Sequence, residues 1–230
     1  MLGAWCLCLL VCQQARSQEY YGIKIETGNT AFLLDVSGSM EGLDEGVAAS
    51  EPMSAALRKA EKKVGRKIGG RLGRKLSRRA RSEATKLGSA RRELIRALEG
   101  LPGDASFTII TFGSDVKEWP GGYREVEGVA RRAAQAFVAD LKAGGGTPMN
   151  KALEDGFALE AVDTIFLVSD GRPTDAAGPA ILEQIATLDR GRGIVVNTVG
   201  IGPDQDEELL CKLAEQTGGF YINDGEVACQ

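Results

Sequence analysis

Histidine is absent from the 230 residues of this chain. That removes the Ser-His-Asp and Cys-His systems that activate a nucleophile, and the histidine-bearing zinc sites. Paired carboxylates could still move protons, but no pair stands out among the many Asp and Glu residues. Hydrolysis is therefore unsupported, and no catalytic residue is assigned. Aromatic side chains are scarce at 6%, although an apolar fraction of 43% suffices for a sizeable core. The N-terminal apolar run, residues 2–12, is shorter than the roughly 20 residues needed to span a bilayer.

That run holds three of the five cysteines, Cys6, Cys8 and Cys12, and is followed by Ala15-Arg16-Ser17. Small residues at −3 and −1 of a cut after Ser17 give residues 1–17 the form of a signal peptide. No Lys or Arg precedes the run, and a buried N-terminal strand is the alternative. A lipid anchor on Cys12 fits less well, because Val11 is bulky where a small residue is wanted. Cleavage would leave two cysteines, Cys211 and Cys229, an even count for an oxidising compartment. Helical periodicity turns Leu209, Leu210, Leu213 and Ala214 inward and leaves Cys211 on the flank beside Glu207, Glu208 and Glu215. A C-terminal tail folding back could reach it, so a Cys211–Cys229 disulfide is expected, with two unpaired thiols as the alternative.

Buried-type strands are expected at 31–34, 107–112, 164–169, 194–201 and 220–223, with a short edge strand ending near Trp119-Pro120-Gly121-Gly122. Helical patterns separate them, at 87–98, 129–141, 149–159, 180–188 and 207–216. Such alternation implies an α/β fold, a doubly wound, mostly parallel sheet with helices on both faces. Ligands of these sheets collect beyond the carboxyl ends of the strands.

Asp35-Val36-Ser37-Gly38-Ser39-Met40 follows the first of those strands. Residues i, i+2 and i+4 of an extended backbone share a side, so one carboxylate and two hydroxyls can converge there. Hard oxygens suit a small hard cation such as Mg²⁺; a polar turn with Ser39 as helix cap would use the same residues. Two further segments bear on the choice. Gly144-Gly145-Gly146-Thr147 is a glycine loop presenting one hydroxyl, and Ser169-Asp170-Gly171 ends a buried strand in a carboxylate.

Asp-x-Ser-x-Ser, a distant Thr and a more distant Asp, in that order, resemble the von Willebrand factor A (vWA) domain over residues 30–40 and about 83–224. The resemblance implies a metal-ion-dependent adhesion site with Mg²⁺ or Mn²⁺ held by Asp35, Ser37, Ser39, Thr147 and Asp170. It implies a binding module rather than an enzyme, in which a protein partner supplies a Glu or Asp to the metal. Thr147 would join when ligand binds, the three glycines before it giving the loop freedom to switch. Residues 18–230 would form the domain, exported to the cell envelope or beyond.

One segment breaks the pattern. Residues 41–82 separate the first motif from the next helix, and within them residues 58–82 carry twelve Lys or Arg against one acid, Glu61, a net +11 in a chain of net −4. Val64, Ile68, Leu72 and Leu76 recur every four residues, as do Gly65, Gly69 and Gly73. Four readings stand: a solvated charged insertion, a surface that meets an anionic membrane or another polyanion, a positive field that steers an acidic partner towards the metal, and a lid that places Glu41, Asp44 or Glu45 on the metal. Nucleic acid fits poorly, since this segment has no aromatic residue to stack on bases. The second reading defines an alternative function, a membrane-surface or polyanion-binding protein acting through 58–82.

Overall fold

The computed structural model describes residues 19–25, 28–44, 82–223 and 225–230. A two-residue hairpin opens it, β1 (Glu19–Tyr20) and β2 (Ile23–Lys24). The main sheet is built from β3 (Asn29–Asp35), β4 (Ser106–Phe112), β5 (Val116–Glu118), β6 (Arg124–Glu125), β7 (Thr164–Ser169), β8 (Val195–Gly200), β9 (Tyr221–Asn223) and β10 (Glu226–Cys229). Among the described residues five helices connect them: α1 (Lys86–Gly100), α2 (Gly128–Asp140), α3 (Met149–Ala158), α4 (Gly178–Asp189) and α5 (Glu207–Thr217).

The strand order is β10-β9-β8-β7-β3-β4-β5, with β6 also paired to β4. From β9 to β4 all neighbours are parallel; β10, β5 and β6 are antiparallel additions at the rims. The five long-strand expectations and the five helices each have a counterpart, displaced by a residue or two at their ends. The hairpin, β6 and β10 have no sequence expectation behind them, because pieces of two to four residues carry no period long enough to read.

Alternation along the central strands divides the core. Phe32 and Leu34 of β3, with Phe107 and Ile109 of β4, face Leu87, Leu94 and Leu98 of α1 and Ala134 and Val138 of α2. Ala31 and Leu33, with Ile110 and Phe112, face Met149, Leu153 and Phe157 of α3 and the apolar sides of α4 and α5. Every one of these side chains is 4% exposed or less, which is why β3 reads as an unbroken apolar run. The hairpin closes the first face: the Tyr20 ring meets Phe32 and Phe166 edge-on, each at 5.3 Å between centroids. Among the described residues, no helix is long and apolar enough to cross a membrane.

Cys211 and Cys229 form a disulfide, their Cα atoms 5.9 Å apart. It ties the rim strand β10 to α5, whose inward residues Leu209, Leu210, Leu213 and Ala214 are all buried. In the chain-entropy account, closing such a loop contributes about 3 kcal/mol.

The long segment between β3 and α1 leaves and returns through a narrow neck. Lys86 N donates to Gly42 O at 2.9 Å and Asp44 N to Ala84 O at 2.9 Å, and Leu43 bridges Thr85 in antiparallel fashion. Thr85 caps α1, its side chain accepting from Gly88 N. Residues 45–81 and 1–18, and with them most of the basic segment and the candidate signal peptide, lie outside the described residues. Because the neck closes on itself with backbone hydrogen bonds, replacing 45–81 by a short Gly-Ser linker should preserve the fold. Thermal denaturation followed by circular dichroism checks this. One cooperative transition within a few degrees of the parent is expected, and a broadened or much lower one would mean the segment is part of the core.

Candidate functional site

The strand β3 lies between β4 and β7, and the chain crosses from one side of it to the other between them. A crevice therefore opens at its carboxyl end, between β3 and β7. Asp35 ends β3 and Asp170 follows β7, so two carboxylates meet there, both fully buried. Leu34 pairs with Val168, which brings Ser169 opposite Asp35.

Each oxygen has a partner. Asp35 Oδ1 accepts from Ser37 N at 2.7 Å and Oδ2 from Ser169 Oγ at 2.5 Å. Asp170 Oδ1 accepts from Ser39 Oγ at 2.7 Å, and Oδ2 from Lys86 Nζ at 2.8 Å. Ser37 Oγ lies 3.0 Å from Ser39 Oγ. A hydroxyl has one proton, and Ser39 spends its own on Asp170, so Ser37 is the donor to Ser39. The chain of donation runs Ser37 to Ser39 to Asp170, with Lys86 arriving from the other side.

The convergence of Asp35, Ser37 and Ser39 corrects the reason given for it from sequence. The strand stops at Asp35; Ser37 is extended, and Ser39 sits in a 3₁₀ turn over Gly38–Glu41. The turn, rather than strand alternation, brings Ser39 back over the crevice, where it remains exposed while Ser37 is buried.

Thr147 reaches the same place from the loop before α3. A Cβ added to Gly171 would lie 3.6 Å from Thr147 Oγ1 and 3.8 Å from Ser39 Oγ, so both hydroxyls border one small space that glycine leaves open. The loop itself is pinned. Gly144 N donates to Val36 O at 2.7 Å and Gly38 N to Gly145 O at 3.0 Å. Thr147 and Thr174 exchange two bonds, Thr147 N to Thr174 Oγ1 and Thr174 N to Thr147 O, each 2.9 Å. Asp175 accepts from Asn150 N and Lys151 N, capping α3 from the neighbouring loop. Gly145 has φ +86°, and a Cβ there would fall 2.2 Å from Ser114 N. Close approach therefore accounts for that glycine, where the sequence suggested freedom to switch.

Ser169, Lys86, Thr174 and Asp175 were missed from sequence. Ser169 had a signal, being the residue that strand register must set against Asp35. Lys86 had none, since its reach depends on where α1 starts relative to β7.

Burial pushes the Asp35 carboxyl up to about 6 from an ordinary value of 3.8; the hydrogen bonds from Ser169 and Ser37 oppose the rise, and the nearby charge of Asp170 adds to it. The folded state then holds the proton more tightly than the unfolded state, so metal-free stability falls as pH rises from about 4 to about 6. The shift corresponds to about 3 kcal/mol. Asp35→Asn keeps the shape without the titration. Denaturant unfolding of metal-stripped protein between pH 4 and 7.5 should show the variant gaining on the parent across that window. A constant difference would place the raised carboxyl elsewhere.

The chain belongs to the von Willebrand factor type A domain family, whose sequence pattern matches residues 77–222, well over half of its length. It is 29% identical over 118 residues to human von Willebrand factor A domain-containing protein 3A, covering 50% of this chain and 10% of that protein. To inter-alpha-trypsin inhibitor heavy chain H1 of Mesocricetus auratus it is 27% identical over 153 residues, 60% of this chain and 16% of that one. The chain thus spans a small part of the length of these relatives. Among solved structures, von Willebrand factor type A from Catenulispora acidiphila shares the fold with a TM-score of 0.60 at 20% identity, over 87% of this chain and 39% of that chain. The family match begins after Asp35, Ser37 and Ser39, so their place beside Thr147 and Asp170 rests on the fold described above.

Proposed function

We propose that this chain is an exported binding module that uses a divalent cation, Mg²⁺ or Mn²⁺, to capture a Glu or Asp of a protein partner. The observation that carries the reading is the small space beside Gly171, bordered by the hydroxyls of Ser39 and Thr147 and backed by Asp170 and Asp35. The donor set is all oxygen, which matches hard cations and not zinc or copper. Asp35, Ser37, Ser39, Thr147 and Asp170 would hold the ion. Once bound, it would supply an electrophilic centre able to take a carboxylate from outside.

The chain's own groups prepare that role. Ser37 and Ser39 contribute neutral oxygens, so the ion is not saturated with negative charge. Asp35 is anchored by Ser169 and the Ser37 amide, and the bonds between Thr147 and Thr174 hold the Thr147 loop against the turn after Asp170. The N-terminal segment, read as a signal peptide, and the envelope or extracellular location belong to this proposal. The alternative through residues 58–82 falls on a segment almost wholly outside the described residues.

Isothermal titration with Mn²⁺ tests the reading. Wild type should bind one ion, and more weakly below pH 6 as Asp35 takes up its proton. Asp35→Asn should lose most of that affinity while unfolding as cooperatively as the parent. Because the Thr147 loop is pinned, Thr147→Ala should weaken ion and partner binding together. Undiminished Mn²⁺ binding by Asp35→Asn would end the assignment of the site.

A further inference from the structure

Lys86 belongs to no motif, yet its ammonium touches one of the two buried carboxylates. It is the first residue of α1, where the helix dipole disfavours a positive charge. A lysine in that position usually extends into water. This one is turned inward, its side chain only 9% exposed, to end 2.8 Å from Asp170 Oδ2. Two glycines flank its path: a Cβ on Gly202 would come 3.0 Å from Lys86 Cε and 3.3 Å from Nζ, and a Cβ on Gly42 3.8 Å from Cε. Gly202 has φ +76°, so its backbone also favours glycine. The passage, the ion pair and the neck bond from Lys86 N to Gly42 O make a built arrangement rather than a chance contact.

We propose that Lys86 is an internal counter-cation that sets how tightly the site holds a divalent ion. The inference rests on the metal-site reading above and deepens it. Without metal, the ammonium offsets the charge of Asp170, so two carboxylates can stay buried side by side and the fold does not depend on the ion. With metal, Lys86 and the incoming cation compete for Asp170, whose two oxygens are already taken by Ser39 and Lys86. Both effects weaken ion affinity. They also leave the loaded site with a net positive charge: two carboxylates against one ammonium and a dication. That surplus is what an acidic group of a partner would answer.

Lys86→Met keeps most of the stem and removes the charge. Mn²⁺ titration calorimetry and thermal melts with and without Mn²⁺, on wild type and variant, provide the test. The variant should bind Mn²⁺ at least about tenfold more tightly, because even at the dielectric of bulk water a unit charge about 4 Å from a dication is worth more than a factor of ten. Its metal-free Tm should fall, and its rise in Tm on adding Mn²⁺ should exceed that of wild type. A variant that folds only with Mn²⁺ is the same result in stronger form. Lys117→Met, at an exposed lysine of β5, should change neither quantity. Equal or weaker Mn²⁺ affinity in Lys86→Met, or failure to fold with and without Mn²⁺, would overturn the proposal and leave the lysine a structural ion pair. Wild type that binds no Mn²⁺ would remove the metal reading itself, which separates the two failures.

Discussion

Two carboxylates, Asp35 and Asp170, are buried at the ends of neighbouring parallel strands, and the arrangement around them follows from that. A charge taken out of water must be met by donors or by a counter-charge, or the burial costs several kcal/mol. Here each of the four oxygens meets a protein donor: the Ser37 amide, Ser169, Ser39 and Lys86. Satisfying them determines much of the local structure. The 3₁₀ turn returns Ser39 to Asp170, and α1 begins where Lys86 can reach inward past Gly42 and Gly202.

The loops share in this economy of motion. The segment carrying Thr147 is bonded to Val36 and Gly38 on one side and to Thr174 on the other. Asp175, in the loop of Thr174, caps α3 by accepting from Asn150 and Lys151. The turn after β3, the loop between α2 and α3 and the loop after β7 are therefore linked in one hydrogen-bonded network. The long basic segment joins the molecule through the neck of Gly42 to Asp44 and Ala84 to Lys86. Residues 58–82, with a net charge of +11, thus end four residues before the lysine that contacts Asp170.

Much of the fold was legible because the central strands are buried on both faces, which leaves apolar runs such as 107–112 and 164–169 bounded by Gly, Asp or Ser. The helices were legible by their period of 3.6. The rim pieces β6 and β10 and the opening hairpin were not, since their few residues are placed by pairing with a longer partner. At the candidate site, Asp35, Ser37, Ser39, Thr147 and Asp170 could be named from spacing and resemblance, and the fold brings all five to one crevice. The reason offered for the first three was wrong in its geometry, because a turn and not an extended strand aims Ser39. Lys86 was illegible: nothing in Thr85-Lys86-Leu87 distinguishes it from any other lysine at a helix start. Its role appears only when the end of β7 and the start of α1 are seen side by side.

The central claim is that the space beside Gly171 takes a divalent cation. Anomalous diffraction from crystals of the protein grown with Mn²⁺ tests it most directly. The account predicts one strong manganese peak within coordination distance of the Ser37 and Ser39 hydroxyls, with Thr147 and the carboxylates of Asp35 and Asp170 around it. Crystals that show no peak there, or show manganese only on exposed acids elsewhere, would contradict it.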